Sequence, residues 1–158
     1  MRSAMATHLR PAAAPDVPEI AACVQRAYAK YAGRLPRPPR PVLADYAAVV
    51  KSSQTWVLED DAGQCVGVLV LVAHADHLLL DNVAVDPAHQ GRGLGRLLLD
   101  FAESEARRLS LPAVCLETNA LMTENLALYT ARGYVETARR ELDGRHIVYM
   151  RKALAVAQ

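Results

Sequence analysis

The stretch VAVDPAHQGRGLGRLLLDFAE, residues 83–103, runs from an apolar segment through a glycine-rich knot into an apolar-periodic one. Three of the chain's eight glycines stand at 91, 93 and 95, alternating with Arg92 and Leu94. A turn needs one glycine or two, so this density points to a backbone that must come close to something. Beyond the glycines, Leu94, Leu97, Leu98, Phe101 and Leu109 keep helical spacing up to a stop before Pro112. The glycines therefore sit where a strand hands over to a helix of about four turns.

At a helix start the first N–H groups lack internal partners and the dipole end is positive. Such a loop is a ready anion site, and residues without side chains let an anion reach several N–H groups at once. Arg92 and Arg96 add charge at its rim. The same residues also suit an ordinary strand-to-helix turn. Two familiar phosphate loops do not fit. No Gly-Lys-Ser/Thr follows, and the third glycine of the dinucleotide fingerprint would fall at 96, which is arginine. That fingerprint also belongs to the first strand of a βαβ unit, whereas this loop follows the fourth expected strand.

Working outward, residues 7–11 read as a first strand. Asp16 and Glu19 stand as in a capping box, and Ile20, Cys23, Val24, Ala27, Tyr28 and Tyr31 mark one helix face that ends near Gly33. The segment RLPRPPRP, 34–41, holds four prolines and reads as a stiff non-helical linker. Leu43, Tyr46, Ala47 and Val50 mark a second short helix. Residues 54–60 and 64–72 form a hairpin about Asp61, Ala62 and Gly63, and HLLLDNVAV, 77–85, is apolar on both faces like a central strand. Beyond the glycines come a strand at 112–118, a helix at 122–132 ending at Gly133, and a final hairpin turning on Asp143-Gly144. The order is β-α-α-β-β-β-α-β-α-β-β. It implies one mixed α/β domain over 1–158 with a core of about 7–154.

Composition bounds the function. The chain is 52% hydrophobic and 22% charged, as globular chains are. A net charge of +1 gives no reason to expect nucleic acid or an anionic membrane as partner. No run reaches the ~18 apolar residues of a membrane helix, and MRSAMATHLRPAAAP lacks the apolar core of a signal sequence. Cysteines at 23, 65 and 115 stand too far apart for a metal cluster or a disulfide framework and read as buried thiols in a reducing compartment. The expectation is a cytoplasmic protein without a metal.

Gln90-Gly91-Arg92-Gly93-Leu94-Gly95 resembles the Q/R-x-x-G-x-G/A signature of the GNAT superfamily of acyl-CoA-dependent N-acetyltransferases. As in that family, a strand ending in Val-Ala-Val and a short Asp-Pro turn precede it. The stretch LETNALMTENLALYTARGYVET, 116–137, is similar to the family's second half, with Asn125, Tyr129 and Gly133-Tyr134 in the usual order, and IVYMRKAL is similar to its last strand. The likeness extends from about residue 7 to 154.

The resemblance implies acetyl-CoA as cosubstrate and a primary amine as acceptor. A small molecule is the favoured acceptor, with a protein or peptide amine, or a non-catalytic CoA-binding module, as alternatives. It implies that the strand of Val83, Ala84 and Val85 splays from its parallel neighbour at 113–118, so that the pantetheine arm bonds the exposed backbone. The pyrophosphate would rest on N–H groups of 91–96, and an N–H near Val83–Val85 would stabilise the oxyanion. Asn125 would contact the cofactor, and Tyr129, four residues on and on the same helix face, would protonate the departing thiolate. For the general base Asp81 ranks first, because unbroken strand phase turns it to the face of Val83 and Val85. Glu117 on the neighbouring strand is the rival, His77 has the same phase but lies farther off, and ordered water could also take the proton. Cys115 has no nearby motif for an acyl-enzyme. Arg34, Arg37 and Arg40, spaced by three, would line one edge of a polyproline helix and favour an acceptor that also carries an anion. The likeness leaves room for a homodimer.

Overall fold

The computed structural model of the chain describes residues 6–155. Residues 1–5 and 156–158 belong to the expected 1–158 domain, and the first five also to the stretch read against a signal sequence. They lie outside the described residues. In chain order the elements are β1 (His8–Pro11), α1 (Val17–Tyr28), α2 (Arg40–Leu43), α3 (Tyr46–Ser52), β2 (Gln54–Glu59) and β3 (Cys65–Ala73). They continue with β4 (Leu78–Val85), α4 (Leu94–Arg108), β5 (Ala113–Asn119), α5 (Thr123–Ala131), β6 (Val135–Leu142) and β7 (Arg145–Ala153). The strands form one mixed sheet in the order β1-β2-β3-β4-β5-β7-β6. Only β4 and β5 pair in parallel.

The mixed α/β class and the order of elements are those the sequence implies, with one helical turn added. Residues 34–41 are not wholly non-helical, because Arg40 opens α2. Proline is tolerated in a first helical turn, where its missing N–H has no helical partner to lose, and Pro41 occupies such a position. Extended Ala44 then breaks the chain, and the Asp45 carboxylate caps α3 by accepting from the N–H groups of Ala47 and Ala48. The expected Asp16–Glu19 capping box is also displaced. Asp16 accepts from the Ala13 N–H and pairs with Arg10, so its carboxylate is spent on the turn before α1.

The core lies on both faces of the sheet. On one face Leu94, Leu98, Leu99, Ala102 and Ala106 of α4 pack with Leu69, Leu71, Leu80 and Tyr129. On the other, Ile20, Cys23, Val24 and Ala27 of α1 and Tyr46 of α3 cover Val57, Cys65, Val68 and Val70. Cys23 and Cys65 are buried thiols and Cys115 is half-buried. No helix among the described residues is long and apolar enough to cross a membrane.

Two irregularities in β4 shape the space beside it. Val70 pairs with Asn82 but Leu71 pairs with Leu80, which leaves Asp81 as the extra residue of a β-bulge. Before the bulge Leu78 and Leu80 face the α4 cluster; after it Val83 and Val85 do, while Ala84 joins the α1 side. The sequence argument for Asp81 needs an unbroken two-residue period. The bulge breaks that period, so local bulge geometry sets the direction of Asp81. The second irregularity is the splay. Parallel pairing joins Leu78–Leu80 to Val114–Leu116, after which β5 stays with β7 as far as Asn119. Asp81–Val85 of β4 thus leave their β5 side open.

Candidate active site

Each glycine of the turn has its own local reason. Gly91 and Gly93 adopt φ of 81° and 77°, the left-handed region that favours glycine. Gly93 is the residue that caps α4, and the first helical bond inside the helix runs from the Leu97 N–H to the Gly93 carbonyl. The N–H groups of Leu94, Gly95 and Arg96 are therefore left for an outside acceptor. Gly95 has ordinary φ, and a Cβ built there meets nothing within 4 Å. Its lack of a side chain keeps space open rather than permitting a strained turn.

Two cavities flank the splay. One, of about 300 Å³, is lined by Val83, Ala84, Val85, Gln90, Gly91, Gly93, Leu94, Gly95, Arg96 and Asn125. Of the cofactor residues named from the sequence, Arg92 alone does not line it; its side chain is exposed and approaches His89 Nδ1 at 3.5 Å. Arg92 lies one residue from each left-handed glycine, which turns it outward. The second cavity, of about 370 Å³, lies toward α2 and α3 and takes in Asp81, Glu117, Arg40 and Arg145. Tyr28, Val83, Asn125 and Tyr129 line both. The two spaces meet at these four residues.

Tyr129 is buried, with its ring against Tyr134 at 5.8 Å and 64°. Burial, with Tyr31 nearby, pushes its phenol well above the usual tyrosine value, so it holds its proton at neutral pH. Asn125, four residues earlier, presents Oδ1 3.5 Å from the Tyr31 hydroxyl. The far end of the helix is tied down: Arg132 pairs with Asp100 and, at 3.0 Å, with buried Glu103, which also receives Lys152 at 2.7 Å. These pairs tie the end of α5 to α4 and β7.

The carboxylates differ. Asp81 is exposed into the larger cavity from its bulge. Glu117 accepts from Arg40 Nη1 at 2.6 Å. His77 stands just outside β4, stacks on His74 at 4.6 Å and pairs with Asp76, away from both cavities. The three arginines of 34–41 do not share an edge. Residue 34 is turn and 35–37 are bend, Arg34 binds Glu124 on α5, Arg40 binds Glu117 on β5, and Arg37 is exposed. The turn and bends at 34–37 interrupt the regular polyproline period that a common edge requires.

Four residues line or support the site without being singled out for it by the sequence. Tyr28 and Tyr46 read there as core positions, and Arg145 lies in the last hairpin, far away in the chain. Its Nη2 donates to the Pro38 carbonyl, which holds the proline-rich loop over the larger cavity. The fourth, Asn82, had a signal: it is a lone amide inside the apolar run HLLLDNVAV. It is almost fully buried, and its side chain bonds both Tyr28 and Tyr46. Among the described residues no group of three or more His, Cys, Asp or Glu is placed to hold a metal ion.

Comparison with known proteins agrees with this geometry. The Escherichia coli K12 [ribosomal protein bS18]-alanine N-acetyltransferase is 39% identical over 65 residues, 41% of this chain and 44% of that protein. The chain therefore matches less than half the length of that relative. The IAA acetyltransferase of Azospirillum brasilense is 27% identical over 96 residues, 60% of this chain and 63% of the relative. The crystal structure of the E. coli ribosomal-protein-S18-alanine N-acetyltransferase superposes with a TM-score of 0.78 at 23% identity, covering 97% of both chains. PaiA N-acetyltransferase from Thermoplasma acidophilum, solved in complex with coenzyme A, gives 0.77 at 14% identity over 95% of this chain and 100% of that one. Both are likenesses of fold. The model of the acetyltransferase (GNAT) domain matches residues 51–136, from the end of α3 through the glycine turn and α5 to the start of β6. With the splayed β4–β5 pair and the glycine-capped α4 inside that span, the chain belongs to the GNAT acetyltransferase family.

Proposed function

We propose that the protein transfers the acetyl group of acetyl-CoA directly to a primary amine. The observation that carries this reading is the meeting of two cavities at Tyr28, Val83, Asn125 and Tyr129. One cavity is lined by a helix start suited to a pyrophosphate. The other carries carboxylates suited to an ammonium group. The pantetheine arm would bond the open edge of Val83–Val85 as an added strand does, bringing the thioester to the junction. Asp81, directly or through water, takes a proton from the ammonium group. The free amine then attacks the carbonyl carbon, and an N–H near Val83–Val85 stabilises the oxyanion. As the C–S bond breaks, Tyr129 gives its proton to the thiolate and its phenolate takes up the second proton shed by the attacking nitrogen, which leaves the amide, the CoA thiol and one proton on Asp81 for release to solvent. The larger cavity has room for a compact amine or for the first residue of a peptide, so a small molecule and a protein N-terminus are both candidate acceptors.

Thiol release from acetyl-CoA tests the reading. The amines are spermidine, kanamycin, free amino acids, phenethylamine and a hexapeptide with N-terminal alanine. Amine-dependent release with an acetylated product supports it. Tight acetyl-CoA binding without release on any amine would instead favour a non-catalytic CoA-binding module.

A further inference from the structure

A buried chain of hydrogen bonds runs from the cavity junction to the proline-rich loop. Tyr28 Oη lies 3.0 Å from Asn82 Oδ1, Asn82 Nδ2 lies 3.1 Å from Tyr46 Oη, and Tyr46 Oη lies 2.5 Å from the Pro41 carbonyl oxygen. Asn82 is 5% exposed and Tyr46 is 5% exposed, so water does not compete for these groups.

The protons in this chain are ordered by its last member. A carbonyl oxygen only accepts, so the single proton of Tyr46 goes to Pro41. The Tyr46 oxygen must then accept from Asn82, which turns the amide NH₂ toward Tyr46 and the amide oxygen toward Tyr28. Tyr28 in turn must donate to that oxygen. Burial, with Tyr129, Tyr46, Tyr31 and Asp81 around it, pushes the Tyr28 phenol well above its usual range, so the proton stays on it. With its proton committed, the Tyr28 oxygen offers only lone pairs to a ligand. Tyr28 also lines both cavities where they meet.

We propose that Tyr28 orients the acceptor amine: its hydroxyl oxygen, held as a pure acceptor by Asn82, Tyr46 and the Pro41 carbonyl, receives an N–H of the incoming amine. This rests on the transferase reading and adds a division of labour. Tyr28 accepts from the nucleophile and Tyr129 donates to the leaving group. Asn82 and Tyr46 are positioning residues that act through Tyr28. An amine held by one N–H keeps its lone pair free to point at the thioester carbonyl, whereas a donor in the place of Tyr28 would bind that lone pair and block attack. The loop over the larger cavity thereby sets the proton order at the reacting centre.

Two measurements test this, one with turnover and one without. With the best amine of the panel, Tyr28→Phe should lower acceptor kcat/KM by ~10–100-fold, the worth of one hydrogen bond to a charged or reacting group. Its acetyl-CoA Kd should stay within about twofold of wild type. Tyr46→Phe should lower kcat/KM less, and in the Tyr28→Phe background it should add nothing, because the effect runs through Tyr28. An equal loss in acetyl-CoA affinity, or fully additive losses, would overturn the proposal.

The proton order is read independently by NMR of the Asn82 side chain. Tyr46→Phe should move the Asn82 Nδ2 proton signals, and Tyr28→Phe chiefly its Cγ signal. The opposite pattern would sink the proposal even if transfer is observed. Acetyl-CoA binding without turnover on any amine, with the NMR pattern as expected, would refute the transferase reading and with it the orienting role, leaving only the proton order standing.

Discussion

Arg40 and Glu117 meet across the larger cavity, Nη1 2.6 Å from Oε1, and this contact separates the two carboxylates that could serve as base. Asp81 lies in the same cavity with no ion pair among the described residues. A carboxylate bound to a guanidinium must give up that partner before it can take a proton. Asp81→Asn should therefore lower kcat/KM by ~10²–10³-fold, mainly through kcat. Glu117→Gln should chiefly raise the acceptor KM. Its effect on stability should stay within ~1 kcal/mol, because Arg40 and Glu117 are substantially exposed, with side-chain exposures of 67% and 32%. If kcat collapses in Glu117→Gln and Asp81→Asn raises only the acceptor KM, the two roles are exchanged.

The glycine turn is best tested at position 95. Gly91 and Gly93 need left-handed backbone, so a side chain at either strains the turn by ~1–3 kcal/mol and confuses folding with binding. Gly95→Val meets open space and an ordinary φ. The valine should leave the melting temperature within a few degrees of wild type yet weaken acetyl-CoA binding at least tenfold by crowding the helix start. Unchanged affinity by calorimetry would remove the anion-binding role of the turn.

Tyr129→Phe keeps the ring, its contact with Tyr134 and the neighbouring Asn125, and removes one proton. General acid catalysis contributes ~10²–10⁴-fold, and a CoA thiol is already a fair leaving group. A fall in kcat near ~10²-fold is expected, with acetyl-CoA affinity unchanged. A thioester with a more acidic thiol should restore the rate. Equal impairment on both thioesters would reduce Tyr129 to a packing residue.

Tyrosine burial also predicts how stability depends on pH. Tyr28, Tyr46, Tyr129 and Tyr134 are all pushed above the ordinary phenol value, chiefly by burial. In the unfolded chain they ionise near pH ~10. The folded state thus binds more protons above that pH, and stability, fully present below it, should fall as pH rises further. Chemical denaturation from pH 8 to 11 measures this. A flat profile through pH 11 would show that the phenols ionise in place.

Tyr134 offers a sharper case. Its hydroxyl is buried with no hydrogen-bond partner among the described residues, while its ring packs on Tyr129 and under the Lys152 ammonium. Tyr134→Phe removes an unsatisfied polar group and keeps the ring, so stability should be unchanged or rise by up to ~1 kcal/mol. The alkaline loss should also become shallower. A loss of more than ~2 kcal/mol would mean that the hydroxyl bonds an internal water.

Local rules carried much of this protein. Hydrophobic periods of two and of about four, Asp143-Gly144 and the three glycines before and after Leu94 determined the order of elements and the place of the glycine turn that opens α4. Asn125 and Tyr129 were singled out by the resemblance to the family, and their spacing of four placed them on one helix face. Tertiary structure decided whatever depends on residues far apart in the chain. The bulge at Asp81 arises from a register between β3 and β4 that no window around Asp81 contains. The turn and bends at 34–37 broke the spacing of three that suggested a common edge, and Arg34 and Arg40 met partners on different elements, Glu124 and Glu117. The proton order at Tyr28 was out of reach of the sequence, because it is imposed by the carbonyl of Pro41 through Tyr46 and Asn82, three partners that only folding brings within hydrogen-bond distance.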